Sequence, residues 1–214
     1  MRLPVLALCA AIALLPSQVF SGSGDFDKAM QFVRDGTPGL AVGEFARFAG
    51  DGDPFAQINL AVLLARGVGT PQNEAEAFYW AWRARIAGER RKAPDVVRYL
   101  RKRLDPKTRN RIAERLVDDF RALADTGATE GFLGASVALM DVNEPAQPKE
   151  ALVWAIMAAA TNTEEAQLLR DAIAKRLEEK DRLDAQRRAG QRFREWCERA
   201  SPPTSRAFCD GQSG

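Results

Sequence analysis

The 214-residue chain predicts an all-α fold, an α-solenoid of about five stacked helical hairpins. Three observations carry that expectation. Apolar residues recur at helical spacing: Leu60, Leu63, Leu64 and Gly67 keep to the i, i+3, i+4, i+7 rule, as do Ala77, Trp80, Ala81 and Ala84. Whole blocks return at a fixed interval. KRLDPKTR (Lys102 to Arg109) comes back as KRLEEKDR (Lys175 to Arg182) 73 residues later, Phe120-Arg121 as Phe193-Arg194 at the same offset, and Ala77, Trp80 and Ala84 as Ala151, Trp154 and Ala158 at 74. No stretch alternates with period two, so strands are not expected.

Taken from the start, MRLPVLALCAAIALLPSQVFSGSG places Arg2 before an apolar stretch from Leu3 to Leu15, then Pro16 and small residues. That layout is a secretory signal peptide over residues 1–21, with Val19 and Ser21 suited to the cleavage site and a mature start near Gly22. The apolar stretch is shorter than the ~20 residues a spanning helix needs, so no stable membrane insertion is expected after cleavage. Cys9 follows Leu8, where a lipidation site wants a small residue, and leaves with the signal.

Residues 22–200 form the helical repeat domain, with hairpins at roughly 25–50, 53–89, 94–125, 128–162 and 164–200. EFARFAGDG (Glu44 to Gly52) aligns with DFRALADTG (Asp119 to Gly127) at an offset of 75, so the second half of the unit also precedes its first copy. Pro54 opens a helix after Asp53, and Pro106 opens another after Asp105, a suitable N-cap. Gly67 and Gly69 permit a sharp turn, and Gln72-Asn73 lead into the next helix. There the alanines let a partner helix approach, and Trp80 fills the space between hairpins. Phe78 and Trp82 lie on another face of the same helix: either both faces pack, or these rings form an exposed anchor for a partner. Val97, Leu100 and Leu104 make a further stripe, as do Ile112, Leu116, Phe120 and Leu123. Residues 201–214 form a Pro-rich tail. Cys197 and Cys209 are the cysteines left in the mature chain, and an even count in an exported protein makes a disulfide the default. Such a bridge would tie the tail to the preceding helix and stabilise by ~2–3 kcal/mol.

Composition excludes more chemistry than it suggests. Lys and Arg number 31 against 29 Asp and Glu, so no global imbalance argues for nucleic acid. The chain has no histidine, which removes the commonest near-neutral base and metal ligand. Two cysteines without histidine make a poor metal site, and no cofactor is expected. Gly67-Val68-Gly69 follows a helix rather than a strand, unlike a nucleotide loop. Asp118-Asp119 and Glu178-Glu179 read as solvated helix faces, and no S-x-x-K active site stands out. Charge concentrates between Arg83 and Arg111, with twelve Lys or Arg against three acids. This segment is either a solvated outer face or a docking surface for an acidic protein or anionic lipid, with Arg101, Lys102 and Arg103 as candidate contacts.

Ala56, Leu60, Ala61, Leu64, Gly67 and Gly69, followed by Ala77, Trp80, Ala84 and Gly88, resemble the repeat of the Sel1-like family, relatives of tetratricopeptide repeats. The second copy keeps Ala151, Trp154 and Ala158 but replaces the G-x-G turn with DVNEPAQP. The stretch from Ala166 to Trp196 resembles the hairpin that often follows such a repeat in exported proteobacterial members. The resemblance implies a right-handed superhelix whose concave groove binds a protein or peptide partner in the periplasm, acting as adaptor or regulator without a cofactor. Cysteine-rich members associated with β-lactams carry a cysteine pair in each repeat, and this chain does not. A cell-wall or β-lactam-acting hydrolase is the rival class, and a structural assembly factor of an envelope complex a third. Oligomeric state is left open by the sequence.

Overall fold

The computed structural model describes residues 23–161, 164–199 and 206–209, so the expected signal peptide and most of the tail lie outside the described residues. Eleven helices follow in order: α1 (Ser23–Arg34), α2 (Pro38–Gly50), α3 (Pro54–Arg66), α4 (Glu74–Ile86), α5 (Ala93–Arg101), α6 (Pro106–Asp125), α7 (Glu130–Val137), α8 (Pro148–Ala160), α9 (Glu164–Ala174), α10 (Glu179–Arg199) and the short α11 (Arg206–Cys209). No strand occurs among the described residues.

Local chemistry sets the helix ends. The Asp53 carboxylate accepts from the Phe55 and Ala56 amides at 2.7 and 2.9 Å and starts α3, with Pro54 in the first turn. Asp105 does the same for α6 through the Thr108 amide at 3.0 Å. The Asn73 side chain accepts from the Glu76 amide at 3.0 Å and caps α4. Gly67 ends α3 in the left-handed region at φ +67°, a geometry that favours a residue without Cβ. Gly69 has φ +75°, and a Cβ there would sit 2.5 Å from the Pro38 carbonyl, so its backbone presses directly onto the start of α2.

The sequence interval has a structural counterpart. Helices α3 to α6 form one four-helix unit and α7 to α10 another. In each unit the first two helices pair, α3 with α4 and α7 with α8, while the helix before the pair packs on its first member, α2 on α3 and α6 on α7. The third helix, α5 or α9, lies against the second, and the fourth, α6 or α10, reaches that second helix too. The five helix pairs are therefore not equivalent hairpins: short α5 leans back onto α4 more than onto α6, and α9 onto α8 more than onto α10. A short helix buries one narrow stripe and takes the broader partner.

Equivalent positions do equivalent work. Ala93 and Ala166, Leu100 and Ile173, and Phe120 and Phe193 are buried pairs 73 residues apart. Arg109 donates to the Leu104 carbonyl, and Arg182 donates to the Leu177 carbonyl at 2.9 Å, so the same guanidinium ties the start of each long helix to the turn before it. Glu76 pairs with Arg115 in the first unit and Glu150 with Arg188 in the second, joining second and fourth helices.

Where the second copy lacks the glycine turn, α7 runs into a π-helical turn, Ala138–Val142. The loop after it is held by Asn110, whose Nδ2 donates to the Glu144 carbonyl and whose Oδ1 accepts from the Glu144 amide, both at 2.7 Å. Close approach of α6 and α7 depends on Gly134, where a Cβ would lie 2.4 Å from the Phe120 ring. Cys197 and Cys209 are joined in a disulfide with Cα atoms 5.7 Å apart, fastening α11 to α10.

Candidate functional site

Two grooves occupy the same place in the two units. The first, about 400 Å³, lies between α3 and α5 and is lined by Val62, Ala65, Arg66, Asp95, Val96 and Tyr99. The second, about 340 Å³, lies between α7 and α9, where Val137, Asp141, Leu168 and Leu169 stand at the positions of Val62, Arg66, Asp95 and Val96. Exposed apolar side chains mark both: Tyr99 is 53% exposed and Leu168 64%. Arg103 stacks over the Tyr99 ring, its guanidinium carbon 5.4 Å from the centroid, and pairs with Glu74, which fixes the rim of the first groove.

The basic segment is largely spent on internal contacts. Arg101 donates to the Asp141 carbonyl and lies over the Trp82 ring, Arg103 is bound to Glu74, and Arg109 is buried against Glu144. Arg90 pairs with Glu165 at 2.9 Å and Arg98 with Asp95 at 3.0 Å. Burial, then the neighbouring Arg109 guanidinium, lowers the Arg101 pKa, as expected of a cation packed among cations. Of the proposed contacts Arg101, Lys102 and Arg103, only Lys102 is exposed without a side-chain partner. Within the chain, Arg101 and Arg103 hold the α5–α6 corner against its neighbours.

The aromatic alternative is corrected. Phe78 and Trp82 are 0% and 1% exposed and meet edge to face at 6.2 Å, because α4 is covered by α3 on one side and by α5 and α6 on others. Trp80, expected to fill the gap between hairpins, is the half-buried ring of the three, packed edge-on to Tyr79 at 5.0 Å. In the second unit Trp154 is buried at the equivalent position and stacks on Phe132. Ala56, Leu60, Leu64, Ala77, Ala84, Ala151 and Ala158 are all buried, whereas Gly88 is exposed with φ +96° at the end of α4.

Two charged features went unread in the sequence. The Glu89 carboxylate is buried and accepts from the Arg91, Lys92 and Ala93 amides at 3.1, 2.9 and 2.6 Å, closing the N-terminus of α5. Burial works to raise its pKa, yet those amides outweigh it and the net shift is downward. Tyr79 donates to Asp119 at 2.6 Å beneath the Arg115 guanidinium, and burial followed by the Asp119 hydrogen bond pushes the phenol up to about 12. A phenol so hard to ionise serves as a fixed hydrogen-bond donor between α4 and α6. The signal for both was a charged or polar residue inside an apolar register, which spacing cannot distinguish from a solvated one. Among the described residues no group of three or more His, Cys, Asp or Glu is placed to hold a metal, and no helix is long and apolar enough to cross a membrane.

Comparison with known proteins is sparse. No family model matches the chain, and no curated protein does. Among solved structures it is similar to the crystal structure of a protective antigen present in uropathogenic Escherichia coli strains and displaying an SLR fold, at 14% identity and a TM-score of 0.29. That similarity covers 89% of this chain and 56% of the other, so the chain spans little more than half the length of that protein.

Proposed function

We propose that this protein is an exported, non-enzymatic helical-repeat scaffold that binds a protein or peptide partner in the bacterial periplasm. Residues 1–21 act as a cleaved signal peptide, 22–200 as the Sel1-like repeat domain and 201–214 as a tail held by the Cys197–Cys209 bridge. The observation that carries this reading is the pair of apolar grooves at equivalent positions, each with an exposed large side chain, Tyr99 or Leu168. A photo-crosslinking residue at position 99, introduced in cells, tests the reading in the envelope fraction. A discrete protein adduct is expected, and its absence at positions 99 and 168 alike sinks the proposal. Turnover of a β-lactam or of peptidoglycan by the purified mature protein would move it into the hydrolase class.

A further inference from the structure

The two grooves differ in what stands over them. In the second, the C-terminal end of α4 supplies a wall, and Arg85 and Ile86 line the cavity together with Val137, Asp141, Leu168 and Leu169. Arg85 is anchored there with its guanidinium carbon 4.8 Å from the Trp82 centroid, and Ile86 packs against the core. In the first groove the helix corresponding to α4 would precede α1, and among the described residues nothing takes that place. The second groove is lined as well by the Arg90–Glu165 pair, and at one rim position the charge is reversed between the grooves. Arg66 stands where the second groove has Asp141, 75 residues apart, and among the described residues it is an exposed cation without a side-chain partner. The groove's acid, Asp95, is already paired with Arg98 at 3.0 Å.

We propose that the groove between α3 and α5 seats a helix of a partner protein that carries an acidic residue next to an aliphatic one, in the position that Arg85 and Ile86 of α4 hold over the second groove. This rests on the scaffold reading and names the chemistry of its partner. The aliphatic side chain meets Val62, Ala65 and Val96, as Ile86 shares its cavity with Val137 and Leu169. The acid faces Arg66, the mirror image of Arg85 sharing a rim with Asp141. A basic partner helix is disfavoured at the first groove, where its cation would face Arg66.

The test uses the full chain and two labelled alanine-rich helical peptides, one with an adjacent Glu-Ile pair and its twin with Arg-Ile, titrated by fluorescence anisotropy. The Glu-Ile peptide is expected to bind about tenfold more tightly than its twin. Arg66→Glu, at an exposed position, should invert that preference, and Val96→Asp should abolish both interactions, while Leu183→Ala, on the exposed face of α10 and outside both grooves, leaves them unchanged. Circular dichroism on each variant confirms that the helices are intact, and Tyr99→Ala replaces Val96→Asp should the latter unfold. Equal affinity for the two peptides, no binding of either, or binding indifferent to Arg66→Glu overturns the proposal. So does a concentration-dependent dimer dissolved by Arg66→Glu, which would give the groove to a second copy of the chain. A crosslink at position 99 without peptide discrimination leaves the scaffold reading standing and removes this one; neither crosslink nor peptide binding removes both.

Discussion

The two four-helix units solve the same packing problem with different residues. Helix α2 presents its Ala49 carbonyl to the first unit, and α6 presents the Ala124 carbonyl, 75 residues on, to the second. In the first unit Gln57 Nε2 donates to the Ala49 carbonyl at 3.1 Å. Phe132 stands at the position of Gln57 in the second unit and has no donor to offer; there the Trp196 indole donates to Ala124 at 2.7 Å instead. Phe132, Trp154 and Trp196 then form one aromatic cluster, whereas the first unit places its rings on α4 at Phe78, Tyr79 and Trp82. Each carbonyl also accepts a glycine amide, Gly52 at 3.1 Å and Gly127 at 2.9 Å, so the repeat keeps a second, side-chain donor beneath a filled seam rather than a particular residue.

That comparison is most open to attack at Trp196. Trp196→Ala should destabilise by ~3–5 kcal/mol, through the cavity and the lost indole hydrogen bond together, whereas Leu123→Ala at the equivalent place in the first unit should be milder, ~2 kcal/mol. Denaturant titration of both variants checks this, and equal losses would erase the asymmetry between units. Next in size is the bridge that the second unit has and the first lacks. Cys209→Ser opens a loop with a sequence separation of 12. It should lower stability by ~2–3 kcal/mol. Hydrogen exchange should rise in α10 and stay unchanged in α6; uniform loosening would mean the bridge supports the whole stack.

Gln57→Ala should lower stability by ~1–2 kcal/mol, since it removes the side-chain donor to the Ala49 carbonyl, which keeps only the Gly52 amide at 3.1 Å, and empties a buried position. Gln57→Leu should be no better, while Phe132→Leu should do its damage through volume alone, and denaturation curves for the three variants separate the mechanisms. The smallest effect belongs to Tyr79, whose counterpart Val153 does not titrate. The folded phenol ionises at about 12 against an ordinary 10.0, so its contribution is complete below pH 10 and is lost as pH rises through about 12. Tyr79→Phe should therefore lower stability by ~1 kcal/mol near neutrality and flatten the stability profile over that alkaline window. An unaltered profile would show that Tyr79 has no part in it.

Much of the architecture was legible in advance for a physical reason: helical period and helix ends are encoded locally. Asp53, Asn73 and Asp105 act on amides two or three residues away, so a short window of sequence contains both partners. The recurrence of KRLDPKTR also held more than was taken from it. Its final arginine, Arg109, and its copy, Arg182, make the same bond to a carbonyl five residues back, as a repeated arginine beside a repeated helix start suggested. The grooves carried a similar trace in Val96 and Leu169, 73 apart, but only against the layout of four other helices do they become walls of a cavity.

The fates of Phe78, Trp82, Arg101 and Arg103 were beyond reach of spacing. A helix with apolar residues on two faces is compatible with burial on both or with one face left for a partner. The choice fell to α5 and α6, which cover the second face of α4. A run of arginines likewise looks the same whether its counter-charges are water and ligands or Glu74, Glu144 and a carbonyl at Asp141. The chain by itself therefore specified helices, their ends, their duplication and the small residues that let them touch, because those depend on neighbours a few residues away. Tertiary structure alone decided which rings are interior, which cations are neutralised and which seam stays open, because each depends on a surface contributed by residues about 30 to 75 positions distant.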